Sequence, residues 1–151
     1  MTRPGWLELP FLIAVALGPL TWALLFIILM PGLESFSVSA GLGTDPFLFL
    51  KLSLVFPIVE ELAFRGYLQS RLLNHDWAKF EFSGITIANL VTSLLFCSAH
   101  AFYHPLAWSI AIILPSLLFG YFRDRYGSVI PGIVLHCFYN AGYYLLFGFA
   151  G

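Results

Sequence analysis

The sequence predicts an all-α fold, a polytopic membrane helix bundle of about five transmembrane helices with a cytoplasmic N-terminus. Three observations carry that expectation. Only 10% of the 151 residues are charged and 60% are hydrophobic, against about one charge in four for a soluble domain. The charges leave long gaps along the chain, and the basic residues fall on one side of the topology those gaps define. Seven Lys or Arg and eight Asp or Glu cannot coat the surface of a 16.9 kDa protein. A solvent less polar than water must face much of it, most simply a lipid bilayer.

The same figures exclude other classes. A net charge of -1 and a pI near 6.4 leave no Lys/Arg-rich face to neutralise phosphates, so no nucleic-acid partner is expected. Such high hydrophobicity also excludes disorder. Cys97 and Cys137 lie in apolar runs, where small buried hydrophobes are the default and a disulfide scaffold is not expected.

No ionised residue occurs between Glu8 and Glu34, between Glu81 and Arg123, or after Arg125. A spanning helix needs roughly 20 apolar residues, so the first and last gaps hold one span each and the middle gap holds two. The middle gap divides near His104-Pro105, because proline disfavours helical geometry in the residue before it and often opens the next helix. Pro46 to Leu72 is apolar apart from Lys51 and the cluster Glu60, Glu61 and Arg65, and reads as a further span. The expected spans are 7–30, 46–72, 85–103, 106–122 and 128–149. Pro31 to Asp45 reads as a loop. The first span is expected to be a retained anchor, since its apolar stretch exceeds the roughly 7 to 15 residues of a secretory signal. No repeat or linker interrupts residues 1–151, which read as one integral-membrane domain.

Lys and Arg accumulate in short cytoplasmic loops. With the N-terminus inside, Arg3, Arg71, Lys79, Arg123 and Arg125 fall on the cytoplasmic side and Lys51 alone on the other. That split supports an odd number of spans. A prokaryotic plasma membrane is the expected location.

The second span contains Val59-Glu60-Glu61-Leu62-Ala63-Phe64-Arg65-Gly66. Each ionised group at mid-membrane costs about 2.5 to 3.5 kcal/mol, so an unpaired trio would forfeit most of a helix's insertion energy. Glu61 and Arg65 are four apart in the favourable acid-first order and are expected to form an ion pair. Glu60 points about 100° away and is a candidate general base, because intramembrane acids are usually functional. A purely structural ion network is the alternative for Glu61 and Arg65.

Two further polar groups sit at membrane depth, Phe96-Cys97-Ser98-Ala99-His100 and His136-Cys137-Phe138-Tyr139-Asn140. His136 and Asn140 share a helix face, where imidazole and carboxamide can donate to one ligand oxygen, as an oxyanion site requires. Counted from the cytoplasmic span ends, Glu60 and His136 lie roughly 15 to 18 Å deep and His100 about 22 Å. The mismatch vanishes if the third helix begins nearer Ala88, leaving Ser83 to Ile87 in the preceding loop. His75 and His104 fall in a loop and at a helix junction and are left out of the site. Tyr67, Gln69, Asn89 and Tyr139 are unranked candidates for lining a cavity.

Together Glu60-Glu61-x-x-x-Arg65, Phe96-x-x-x-His100 and His136-x-x-x-Asn140 resemble, in order, the three motifs of the CAAX-processing and bacteriocin-processing (CPBP) family of glutamic intramembrane proteases. The resemblance covers about residues 46–149. It implies that Glu60, helped by His100, activates a water against a peptide carbonyl, that His136 and Asn140 stabilise the oxyanion, and that Glu61 and Arg65 orient the site. The implied partners are a membrane-anchored peptide or protein substrate and the bilayer, and no cofactor or metal is expected. The chain is shorter than larger relatives, so a prenylated CAAX substrate, a leader and a C-terminal sorting segment all remain open.

Three rival readings stand beside it. Two carboxylates and two histidines can bind zinc and activate a water, although no H-E-x-x-H occurs. A cysteine mechanism would use Cys97 or Cys137, but Cys137 adjoins His136 and points away from it. A non-catalytic membrane chaperone or a proton-coupled carrier would use the same acids for binding or transport.

Overall fold

In the computed structural model of the protein, residues 8–29 and 45–147 are described. The expected loop at Pro31 to Asp45, Asp45 apart, lies outside them, as do Arg3, Glu34 and the ends of the first and last expected spans. Helix α1, Leu9–Leu29, is apolar apart from Thr21, whose hydroxyl donates to the Leu17 carbonyl at 2.9 Å. Helix α2 is one helical run over residues 46–72. Asp45 starts it by accepting from the backbone N–H of Phe47 at 2.9 Å and of Leu48 at 3.0 Å, with Pro46 in the first turn. An acidic N-cap followed by proline is a strong helix start, because the cap satisfies orphan donors and proline has no N–H to lose.

The interior of α2 departs from the expected regular helix. Lys51–Val55 and Leu62–Gln69 are π-helical turns between the α-helical pieces Pro46–Leu50, Phe56–Glu61 and Ser70–Leu72. Its buried positions recur at every fourth residue: Ser53, Pro57, Glu61, Arg65 and Gln69. On a pure α-helix a step of four drifts by about 40°. A π-turn, bonded i to i+5, rotates less per residue and offsets the drift. Glu61, Arg65 and Gln69 therefore remain on one face.

A 3₁₀ turn, Asp76–Lys79, and a hairpin follow, with strands β1, Glu81–Phe82, and β2, Ile85–Thr86. The strands pair Glu81 with Thr86 and Phe82 with Ile85. Ser83 and Gly84 make the two-residue turn with φ of 51° and 85°, the left-handed values that such a tight hairpin requires at both central positions. Sequence reading placed residue 85 in a span; it lies instead in this hairpin. Helix α3, Ile87–His100, starts at the N-cap Thr86, whose hydroxyl accepts from Asn89 N–H at 3.0 Å. The later start near Ala88, needed to match the depths of His100 and Glu60, agrees with this boundary.

The fourth expected span is two helices, α4, Leu106–Ala111, and α5, Ile113–Tyr126. It runs past its expected end at 122, so Arg123, Asp124 and Arg125 lie in the last turn rather than in a loop. The two arginines there complement the helix dipole, and Gly127 at φ 62° stops the helix in the left-handed conformation. Helix α6, Ile130–Phe147, completes the chain. Among the described residues the hairpin is the only sheet, so the fold is all-α.

The chain forms two compact units, residues 1–58 with 135–151, and Val59–Val134. Burial runs against the soluble pattern. The polar side chains of Glu61, Arg65, Gln69, Asn89, Thr92, Ser93 and Ser116 are fully buried, while Phe47, Leu114 and Leu106 are 85%, 73% and 69% exposed. Polar groups inside and large apolar ones outside are what a hydrocarbon solvent selects. Among the described residues, Leu106–Tyr126 is the one helical stretch long and apolar enough to cross a membrane. Ile87–His100 is apolar but has 14 residues, about 21 Å of helix against a core of about 30 Å.

Helices α3 and α5 meet at Gly120, where a Cβ would overlap the Asn89 carboxamide. That carboxamide cannot easily yield, because Nδ2 donates to the Leu117 carbonyl at 2.9 Å and Oδ1 accepts from Ser93 at 3.2 Å. Gly120→Ala is predicted to destabilise the protein by about 1–3 kcal/mol, read as a lower unfolding midpoint in detergent. Gly66→Ala, whose added methyl meets nothing nearer than 3.7 Å, should leave the midpoint unchanged or raise it.

Candidate active site

In the unit Val59–Val134, the site is built around an ion pair with no solvent contact. Arg65 Nη1 donates to Glu61 Oε1 at 2.9 Å, and both side chains are 0% exposed. Arg65 Nη2 donates to the Ser116 carbonyl at 2.9 Å and to Ser116 Oγ at 2.6 Å, tying α2 to α5. The guanidinium lies 4.8 Å from the Phe96 ring centroid and 5.7 Å from that of Phe119. Desolvation of a buried pair is offset only by such added hydrogen bonds and by aromatic faces that attract the cation. At Gly132 a Cβ would stand 2.9 Å from Glu61 Oε2, so any side chain there would push on the carboxylate. The exposed pair of Lys79 and Asp76, at 2.8 Å, is different in kind. The hydrogen bond from Lys79 holds the Asp76 carboxyl below the usual range, but water screens such a pair.

Glu60 is half-buried beside this pair. The carboxylates of Glu60 and Glu61 and the Cys97 thiol all lie within electrostatic range of Arg65. Two neighbouring glutamates thus have distinct surroundings: Glu61 is sealed against Arg65, and Glu60 is only half-buried.

His100 ends α3. Its Nδ1 lies 2.9 Å from the Phe96 carbonyl. A carbonyl only accepts, so this contact puts the proton on Nδ1 of the neutral ring and leaves Nε2 to receive one. The Phe96 ring lies 4.4 Å from the imidazole and 5.0 Å from Phe64, so one aromatic side chain touches both Arg65 and His100. His104, set aside on sequence grounds, stacks on His100 at 6.0 Å and 17°.

A polar network extends from the ion pair toward the hairpin. Gln69 Nε2 donates to the Gly120 carbonyl at 3.0 Å and to Asp124 Oδ1 at 2.7 Å, and Thr86 donates to Asp124 Oδ2 at 2.7 Å. Arg123 donates to Ser70 Oγ at 2.8 Å, and Ser70 to the Arg65 carbonyl at 2.9 Å. Sequence reading named Gln69 and Asn89 without a role and missed Ser116, Thr86 and Asp124. The four-residue step from Arg65 to Gln69 was a usable signal; a serine in an apolar helix carries none. Tyr67 is 69% exposed.

In the other unit, His136 and Asn140 lie on α6. His136 is 6% exposed. Asn140 Nδ2 donates to the Leu52 carbonyl at 3.1 Å, which occupies one of its two N–H groups. Cys97 is buried and Cys137 half-buried, and neither is in a disulfide. Among the described residues no three His, Cys, Asp or Glu side chains come together as metal ligands. An apolar cleft of about 310 Å³, lined by Phe80, Phe82, Ile85, Ile87 and Leu90 among others, contains none of the candidate residues.

Comparison with known proteins adds the family. The sequence profile described as Type II CAAX prenyl endopeptidase Rce1-like matches residues 16–142, which include every candidate residue from Glu60 to Asn140. No curated protein sequence and no solved structure matches the chain. The profile spans most of the chain and all three motifs, and the protein belongs to the Rce1-like, type II CAAX prenyl endopeptidase family, a membrane-embedded peptidase family within CPBP.

Proposed function

We propose that the protein is a glutamic intramembrane endopeptidase. Glu60, assisted by His100, takes a proton from a water as its oxygen attacks the carbonyl carbon of a peptide bond. His136 and Asn140 donate to the oxyanion that forms. Collapse of the tetrahedral intermediate breaks the C–N bond, and the leaving amine takes the proton from the Glu60 and His100 pair. Glu61 and Arg65 position the site and make no contact with the peptide. A half-buried carboxylate suits proton acceptance, whereas a sealed ion pair suits scaffolding.

The observation that carries this reading is Phe96. Its ring lies against the Arg65 guanidinium and the His100 imidazole, and its own carbonyl orients that imidazole. The carboxylate cluster and the histidine are thereby linked through one rigid side chain. Five spans with a cytoplasmic N-terminus are part of the same proposal, since they put the candidate groups at membrane depth. The substrate class is a membrane-anchored peptide, a prenylated CAAX terminus or a leader or sorting segment, cut without a metal. Zinc hydrolysis is the second reading, favoured only by the presence of two carboxylates and two histidines in the motifs.

The test is cleavage of a library of membrane-anchored peptides, prenylated CAAX peptides included, by reconstituted protein. Glu60→Gln and His100→Ala are each predicted to lower kcat by about 10²–10⁴-fold with little change in unfolding midpoint. Cleavage at the wild-type rate by either variant removes its assigned role. Wild-type cleavage should also survive exhaustive chelation and the Cys97→Ala change. Loss of activity to chelators with recovery on adding zinc would establish the metal reading instead.

A further inference from the structure

Helix α6 carries the two proposed oxyanion donors, and the elements that hold it within its unit carry no motif. On one side is α1. Tyr139 Oη donates to the Ala14 carbonyl at 2.7 Å, and Trp22 Nε1 donates to the Tyr139 carbonyl at 3.2 Å. The Trp22 ring packs 5.1 Å from Phe138 and 6.3 Å, edge-on, from Tyr139. Two glycines allow this approach. A Cβ on Gly18 would stand 2.9 Å from the Tyr139 ring, and one on Gly142 would overlap the Trp22 indole.

On the other side is the π-turn Lys51–Val55, whose Leu52 carbonyl accepts from Asn140 Nδ2 at 3.1 Å and whose Leu54 carbonyl lies 3.9 Å from Cys137 Sγ. At 100° per residue, Phe138, Tyr139 and Gly142 form one face of α6, and Cys137 and Asn140 form nearly the opposite one. His136 projects between them, closer to Asn140. A helix gripped on opposite faces has its rotation about its own axis fixed. That rotation sets the aim of His136 and Asn140, because a turn of 20° moves a side-chain tip 5–6 Å from the axis by about 2 Å. Displacement of that size is enough to uncouple a donor from an oxyanion.

We infer that Trp22 and Tyr139 are positioning residues for the His136 and Asn140 donors, and that α1, which contributes no motif residue, is the element that aims them. The inference rests on the oxyanion reading proposed above. A role in packing alone would lower stability and leave kcat intact in the fraction that remains folded. A role in aiming the donors lowers kcat, leaves KM near its original value and disappears when the donors are removed.

The experiment is a kinetic double-mutant cycle on the reconstituted full chain, using the library peptide that the wild type cuts fastest. Tyr139→Phe removes one hydroxyl and keeps the ring. It is expected to lower kcat about 10–100-fold with KM within about twofold of wild type, and to cost less than about twofold in the His136→Ala/Asn140→Ala background. Trp22→Phe, which keeps an aromatic ring and loses the N–H, makes the same test if Tyr139→Phe does not fold. Wild-type kcat in the single variant, or an equal loss in both backgrounds, overturns the positioning role while the oxyanion reading stands. Full activity of His136→Ala/Asn140→Ala overturns the oxyanion reading and this inference with it.

Discussion

Everything in the Val59–Val134 unit is arranged around the enclosed ion pair of Glu61 and Arg65. An isolated charge in hydrocarbon is expensive, and a buried pair is tolerated only when its remaining donors and acceptors are satisfied. Arg65 goes most of the way through Ser116 and two aromatic faces, with only Nε left without a hydrogen bond among the described residues, and Gly132 leaves room at the Glu61 carboxylate. These requirements fix the packing of α2 on α5 and the position of Phe96, hence of α3. The four-residue stripe of Glu61, Arg65 and Gln69 needs the π-turn Leu62–Gln69 to stay on one face, so the geometry of α2 follows from the same constraint.

From this arrangement comes a division of labour between adjacent glutamates. Glu61 is committed to Arg65 and stabilises the fold. Glu60, one residue earlier, lies off the sealed face and is half-buried, and in the proposed mechanism it accepts the proton. Phe96 bridges the Arg65 guanidinium and the His100 imidazole, which is what the proposed pairing of His100 with Glu60 draws on. Polar side chains are gathered inside this unit, and the apolar residues are left facing outward, as suits a membrane-embedded protein.

Much of this was legible in the sequence because it depends on spacing. The acid-first i, i+4 order of Glu61 and Arg65 foretold their ion pair, the gaps between charges foretold helices within 7–30 and 128–149, the apolar run from Pro46 foretold the helix at 46–72 despite its charges, and three ordered motifs foretold the family. What was not legible depends on tertiary context. The π-turns leave no residue signature, since they arise from keeping a buried stripe aligned. The second strand of the hairpin, Ile85–Thr86, lay within a charge-free gap and was absorbed into a span. Ser116, Thr86 and Asp124 became significant only through their partners on other helices. Arg123 to Arg125 were read as loop because charge was taken to end the span, whereas a helix C-terminus welcomes basic residues.

The central claim, that adjacent glutamates divide scaffold from chemistry, is tested most directly by comparing two double-mutant cycles on stability in detergent, Glu61 with Arg65 and Glu60 with Arg65. Residues in one buried network couple by about 0.5–3 kcal/mol, and independent ones add within about 0.5 kcal/mol. Coupling at the upper end of that range is expected for Glu61 with Arg65 and clearly weaker coupling for Glu60 with Arg65. Equal coupling of the two glutamates to Arg65, or stronger coupling through Glu60, would contradict the central claim.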